Sequence, residues 1–523
     1  MNPCKSTDPA QVILVWPAEM TLPAVSLLTI ATELKHAGYT AKVIYPGDEE
    51  CSNPDALERF IRRHVSSSTL WVGFSVMTVF IALALDMCRI VRSINPDIKT
   101  VWGGYHPMLF PEQTAEHPLV DFSVVGDGEY TAVELTERLL AHRPMGEVEG
   151  LVFKTETGIV RTPPREYTDL RELHPIDYSL LEGIKYLADK PNGRPWGGNV
   201  GTLHSGSGCP YRCAFCINSA LKRPWTGKTA EQLTEDTASL LRHGFKNIVL
   251  VDELFFADKK RAFKFMKLCD HRGLKFGWEA CMSMHTIKKY CDEELLYFKE
   301  HGLIALGVGA ESGSEAQLKR LNKAITPQET LVAAERIEKL GIFCQFATII
   351  GTPNESRSDM AATLRMLNGI KSRSPRYSFY LIPQIYRPYP GCELYNQAIQ
   401  LGYRPPETLE NWANLIKSKK QLFTGVDDLP WLDSGTKNLI NDVLMCVSIY
   451  LQKNSYTAPQ REHVAALSDG TQVPVGKIFY DIVEERFDSN PRYDLIEQLS
   501  QSIALTVKNV VSGLLKQHQV RFN

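Results

Sequence analysis

The sequence predicts an α/β protein in three parts. A doubly wound parallel sheet covers residues 1–145, a partial, TIM-like (β/α)6 barrel covers 199–400, and a mostly helical part covers 401–523. Three observations predict this. Short apolar runs alternate with helix-length amphipathic runs through the first 140 residues. The alternation restarts near residue 200, with polar, Gly-bearing loops at the strand ends. From about Leu401 strand patterns give way to long helical periodicity.

In the first part, residues 11–16 (QVILVW) read as a buried strand, followed by a Pro-bearing loop and a helix over 25–37 that stops at Gly38. Further strands are predicted at 41–45, 70–76, 99–102 and 122–125, with a helix at 57–64. Ligands of such sheets lie beyond the carboxyl ends of the strands. Three of those ends carry unusual loops: Ser75-Val76-Met77-Thr78, Gly103-Gly104-Tyr105-His106-Pro107 and Gly126-Asp127-Gly128-Glu129. Glycine lets backbone approach a bulky ligand, and exposed N–H groups hold phosphate. Taken singly, these loops also suit a nucleotide or a flavin.

Residues 146–198 read as a linker. It holds a β-hairpin at 150–163 turning on Glu-Thr-Gly, then a Pro- and charge-rich strap. The barrel begins with a strand at 200–204. Helices are predicted at 230–243, 259–271, 293–301 and 330–340, with strands at 247–251, 275–280, 304–308, 343–350 and 377–382. In the last part a helix starts within 405–412, and 438–452, 475–485 and 493–517 look helical, a cap over the barrel mouth supplying substrate contacts.

The chain is 44% hydrophobic and 23% charged with a net charge of −2, so nothing global points to nucleic acid or a membrane surface. No apolar run is long enough to span a bilayer, and the first residues carry no signal-peptide pattern. Of twelve cysteines only three cluster, so a disulfide framework is not expected and a reducing cytoplasm is.

Those three are Cys209, Cys213 and Cys216, in a C-x3-C-x2-C run on a Gly/Pro loop. Three thiolates this close can hold three irons of a [4Fe–4S] cluster and leave the fourth open for an exogenous ligand. A zinc site is the alternative, with His204, five residues upstream, as fourth ligand. The spacing, with Phe215 before the last Cys, resembles the radical S-adenosylmethionine (SAM) enzymes, in which SAM binds the open iron. Following this motif, the three strand-end loops over about 12–140 resemble the cobalamin (B12)-binding domain of B12-dependent radical SAM enzymes, a Rossmann-like sheet.

The resemblance implies three cofactors: a [4Fe–4S] cluster, SAM and cobalamin. It assigns cobalamin to Ser75, Val76, Met77, Thr78, Gly103, Gly104, Tyr105, His106, Gly126, Gly128 and Glu129. No D-x-H-x-x-G match is present, which implies base-off cobalamin without a His ligand, the 75–78 loop facing the lower side of cobalt and His106 in a tail-binding loop. On the barrel, Asp252 and Glu253 suit the SAM amino group, although both also read as caps of the next helix. Glu311 and Ser312 suit ribose or methionine atoms, and Phe215, Gly351 and Pro353 the adenine.

The expected activity is methyl transfer from methylcobalamin to an unactivated carbon of a small metabolite or natural-product intermediate. An electron donor such as flavodoxin or ferredoxin is the expected partner. The alternatives are a B12-dependent cyclase, oxidase or rearrangement enzyme, and a non-catalytic cobalamin or iron–sulfur sensor.

Overall fold

The protein is described by a computed structural model covering residues 11–20, 22–189, 199–379, 381, 383–418, 426–446, 464–466 and 472–474. Strands β1 (Val12–Val15), β2 (Ala41–Ile44), β3 (Trp71–Ser75), β4 (Lys99–Gly103) and β5 (Phe122–Val124) form a parallel sheet in the order β2-β1-β3-β4-β5. Helices cover both faces, so β1 is buried along its whole length and reads as continuous apolar sequence. The chain steps to one side of β1 and then to the other, leaving a crevice between β1 and β3 at their carboxyl ends.

The predicted hairpin is β6 (Leu151–Thr155) and β7 (Gly158–Arg161), but it is no free linker. β6 pairs antiparallel with β5 and extends the first sheet to seven strands. Pairing satisfies the backbone edge that β5 would otherwise leave open. The strap that follows is buried as well. Ile176, Tyr178 and Leu181 join one core shared with residues of both sheets, and the Tyr178 hydroxyl donates to the Thr202 carbonyl at 2.9 Å.

A two-stranded ribbon, β9 (Gly206–Ser207) with β10 (Thr226–Gly227), follows β8 (Val200–Leu203). The second large sheet orders β8, β11 (Asn247–Leu250), β12 (Gly277–Met282), β13 (Leu303–Glu311), β14 (Phe343–Ile350) and β15 (Ser378–Phe379), all parallel. That sequential order is a partial barrel. Of the last strand, predicted at 377–382, Ser378–Phe379 form β15, and residues 380 and 382 lie outside the described residues; β16 (Gln384–Ile385) follows and also pairs with β14. Pro383 stands before β16, and proline cannot donate to a ladder. Helix boundaries follow capping chemistry. The helix predicted at 330–340 starts earlier, at Pro327, because Thr326 and Glu329 form a capping box, and it ends at Gly341 with φ +65°.

The C-terminal part divides between the two sheets. Helix Leu409–Ser418 buries Leu409, Trp412 and Ala413 in the core of the first sheet, with Val72, Phe74 and Trp102. Helix Ser434–Cys446 instead brings Ile440 against the barrel, beside Gly351 at the end of β14. A short unpredicted ladder joins β17 (Val464–Ala466) and β18 (Gln472–Pro474). The predicted helices at 475–485 and 493–517, and the end of that at 438–452, lie outside the described residues. Among the described residues no helix is long and apolar enough to cross a membrane.

Candidate active site

The cysteine loop leaves β9 through Gly208, whose φ is +85° and whose added Cβ would lie 2.3 Å from the Pro224 carbonyl oxygen. Backbone bonds fix its middle: Ala214 donates to Leu321 at 3.1 Å and accepts from Leu394 at 3.0 Å. Cys216 caps the short helix Ile217–Leu221, and the Asn218 N–H favours its thiolate. Burial raises all three thiol pKa values, Cys213 to about 11; Cys213 also feels Cys216 and Cys209, and Cys216 feels Cys209.

Among the described residues no three His, Cys, Asp or Glu side chains converge on a single ion. His204 faces Lys228, Glu253, Arg223 and Asp127 rather than the thiols, and burial lowers its pKa to about 4. Three cysteines on one short loop suit a cubane, which spreads its ligands over separate corners.

Around them the barrel supplies one buried ion pair and several committed groups. Glu311, only 6% exposed and at φ +61°, pairs with Lys323 at 2.8 Å. Burial opposes the Lys323 charge, but Glu311, Cys213 and Cys216 together raise its pKa. Its ammonium lies 6.0 Å from the Phe215 ring centroid. Glu253 is partly buried and accepts from Asn218 at 3.1 Å. Asp252 is turned inward: its carboxylate takes the Ser205 N–H at 2.6 Å and the Ser205 hydroxyl, with Arg261 nearby. Ser312 is fully buried on the Thr363 hydroxyl at 3.0 Å. Asp252 and Ser312 thus hold loops, and Glu253 and the Glu311–Lys323 pair line the site. Gly351 has φ +78° and its carbonyl accepts from Trp431 at 3.0 Å, while Pro353 is buried in the same turn.

The first sheet meets this site with its carboxyl edge. Gly104 (φ +98°) leaves no room for a side chain, since an added Cβ would lie 2.8 Å from the Val76 nitrogen. Gly126 (φ +99°) borders open space, and a Cβ added at Gly103 would only touch Val124 at 3.9 Å. Met77 and Tyr105 expose 40% and 43% of their surfaces there, an apolar rim suited to a large ring ligand. Tyr105 is nonetheless enclosed on several sides. Burial raises its phenol pKa, and Glu253 and Cys216 add to the effect from the barrel side. His106 is fully buried, with Nδ1 3.2 Å from the Thr78 hydroxyl and its ring against Phe110 and Trp412; burial lowers its pKa to about 3. It packs between the short helix Tyr105–Leu109 and helix Leu409–Ser418. Ser75 is partly buried and Val76 fully so. Glu129 has one buried oxygen without a hydrogen-bond partner, and burial, with Asp127, raises its pKa to about 7.

Residues 203–367 match the Radical SAM superfamily, and residues 12–136 match the B12 binding domain. The chain is 31% identical over 332 residues to an uncharacterized methyltransferase of Pyrococcus horikoshii, covering 63% of this chain and 69% of that protein. It belongs to the B12-dependent radical SAM enzymes.

As a B12-dependent radical SAM enzyme it uses a [4Fe–4S] cluster, SAM and cobalamin, takes a small-molecule substrate and needs a reductant. A second relative is an anaerobic magnesium-protoporphyrin IX monomethyl ester cyclase of Rubrivivax gelatinosus. It is 26% identical over 70% of this chain and 65% of its own length. The chain therefore spans about two thirds of each of these curated relatives. Among solved structures, the cobalamin-dependent radical SAM enzyme OxsB shares the fold, with a TM-score of 0.65 at 18% identity over 98% of this chain and 76% of that one.

Pattern reading missed four neighbours of the site: Lys323, Arg223, Tyr389 and Cys392. Arg223 pairs with Asp127 at 2.5 Å, and the Cys392 thiol donates to the Cys216 carbonyl at 3.1 Å. Tyr389 lies in the turn-rich stretch Pro388-Tyr389-Pro390-Gly391, which carries a local sequence signal.

Proposed function

We propose that this enzyme is a B12-dependent radical SAM methyltransferase acting on an unactivated carbon of a small metabolite or natural-product intermediate. The observation that carries this is the approach of the first sheet's carboxyl edge to the cysteine loop, where Asp127 pairs with Arg223 at 2.5 Å and the Tyr105 phenol feels Glu253 and Cys216. The methyltransferase relative supports the choice of reaction. Cys209, Cys213 and Cys216 would hold the cluster. Glu253, Lys323 and Glu311 would orient SAM, a carboxylate facing its ammonium and the ammonium of Lys323 its carboxylate. Gly351, Pro353 and Phe215 would shape the adenine site. The loops at 75–78, 103–106 and 126–129 would cradle cobalamin. When bound, cluster and SAM supply a 5′-deoxyadenosyl radical and methylcobalamin supplies the methyl group. The protein excludes water from the cleft, aligns the partners and shields the reacting carbon. A one-electron donor of the flavodoxin or ferredoxin kind would serve it in the cytoplasm.

Two measurements test this. Cys213→Ala should lose iron and reductive SAM cleavage yet retain cobalt; unchanged cleavage would reject the cluster assignment. With methyl-deuterated SAM, the product should carry the labelled methyl group. The cyclase relative favours a second reading, ring closure without net methylation, for which the product would be unlabelled.

A further inference from the structure

The cysteine loop has an inner and an outer side. Inward, Cys216 lies near Tyr105 of the first sheet and Tyr389, and Cys213 near the Glu311–Lys323 pair. Outward, half-buried Cys209 is followed by Pro210, Tyr211 and Arg212, of which Pro210 and Arg212 are exposed. Arg212 donates to the Cys209 carbonyl at 3.5 Å, and its charge favours the Cys209 thiolate. Solvent reaches the loop from this side.

Basic residues gather here from three segments. Asn322 donates to the Arg212 carbonyl at 2.6 Å, tying the loop to the turn that closes helix Glu315–Arg320, where Lys319 is exposed. On the other flank Tyr211 stacks on His285, ring centroids 5.3 Å apart, and accepts from the Ser283 hydroxyl at 3.3 Å. Lys288 and Lys289 follow, both exposed, and His285 feels both. Several neighbouring charges are already matched: Arg320 by Asp359, Lys323 by Glu311, and Lys259, which reaches the Lys289 carbonyl, by Glu294. Against Arg212, Lys288, Lys289 and Lys319 stand Glu329, paired with Lys288 at 2.7 Å, and the exposed Glu315. Four cations against two anions leave a local charge of +2 on a chain that totals −2.

We propose that this basic face beside Cys209 is the docking surface for an acidic one-electron donor protein. The proposal rests on the reading that the three cysteines hold the cluster. One electron passes from the donor's reduced centre to the cluster, and no bond forms or breaks. A net negative enzyme repels an acidic donor at a distance, so a local positive field beside the cluster is what guides approach and orientation. Electron-transfer encounters bury little surface, and charge complementarity sets where they form.

The test uses the full chain loaded with cluster and cobalamin, titrated calorimetrically with an oxidised, strongly acidic flavodoxin. Binding is expected at about 20 mM NaCl. It should weaken about ten-fold or more by about 500 mM, as the screening length falls from roughly 20 Å to roughly 4 Å. The double variant Lys289→Glu/Lys319→Glu leaves the loop itself untouched and should weaken low-salt binding about ten-fold or more. Arg212→Gln should weaken it about three-fold. Lys275→Glu reverses a charge before β12, whereas Ser283 and His285 follow that strand, so it should keep parent-like affinity. Iron content and bleaching of the cluster by dithionite should match the parent in every variant. Parent-like affinity in the double variant, indifference to salt, or an equal loss in Lys275→Glu overturns the proposal. So does a parent that binds no flavodoxin, or weaker binding accompanied by loss of iron, since the residues would then hold the cluster. Iron loss in Cys213→Ala is read independently, so a failed docking surface and a failed cluster assignment are told apart.

Discussion

At the scale of single residues, two glycines allow the two proposed cofactor sites to be tested separately. Gly104 and Gly208 both sit at positive φ with backbone where a Cβ would go, so any side chain forces the loop to move. Gly104→Val should deplete cobalt and keep iron, whereas Gly208→Ala should deplete iron and keep cobalt; metal analysis of both variants checks this. Glu355 gives the chain a pH dependence. It accepts the Thr352 N–H at 3.0 Å, its other oxygen is buried without a partner, and burial raises its pKa from 4.5 to about 8. A carboxyl group whose pKa is raised by folding stabilises the fold while protonated, and that contribution is lost as pH rises through the folded value. Glu355→Gln fixes the uncharged form. Its melting temperature should match the parent near pH 5 and exceed it by about 2 °C or more at pH 8. An unchanged difference across that range would place the ionised form in a solvated setting.

At the scale of elements, helix Leu409–Ser418 is the piece whose destination could not be read in advance. Its start was legible from Pro405, Pro406 and the following apolar spacing, and a cap over the barrel was the natural expectation. It packs instead on helix Ile81–Ile94 and the first sheet, with the Trp412 indole donating to Gln113 at 3.0 Å and Gln113 donating to the Pro406 carbonyl at 2.9 Å. Trp412→Ala should therefore destabilise the first sheet by about 3–5 kcal/mol. Hydrogen exchange should rise in Ile81–Ile94 while the barrel strands stay protected. The strands, the cysteine loop and the three strand-end loops, two of them Gly-bearing, were legible because each is written in local sequence. The placement of β6 beside β5, and of Lys323 beside Glu311, was not. Those depend on which sheet edge or loop a segment meets after folding, and periodicity records only whether a residue faces inward.

At the scale of the whole molecule, the two sheets are held in one arrangement by a few buried polar contacts laid over a shared core. Asp127, at the carboxyl end of β5, pairs with Arg223 beside the cysteine loop, 96 residues away, and the two side chains are 13% and 12% exposed. Asp127 also accepts the Thr168 N–H at 2.9 Å, and the Arg223 guanidinium lies over the Tyr167 ring at 4.8 Å. The contact thus joins cobalamin-side loop, strap and cysteine loop at one point. Removing one partner strands the other charge in a poorly solvated place, which costs about 3 kcal/mol or more, whereas removing both costs less than the sum. Asp127→Asn and Arg223→Met should each lower the unfolding midpoint and raise the rate at which SAM is cleaved without product, since the cleft is no longer held closed to water. The double variant should recover part of the midpoint. Strict additivity of the two losses would mean that the pair does not couple the sheets, and that their alignment comes from the apolar core around Ile176 and Tyr178 alone.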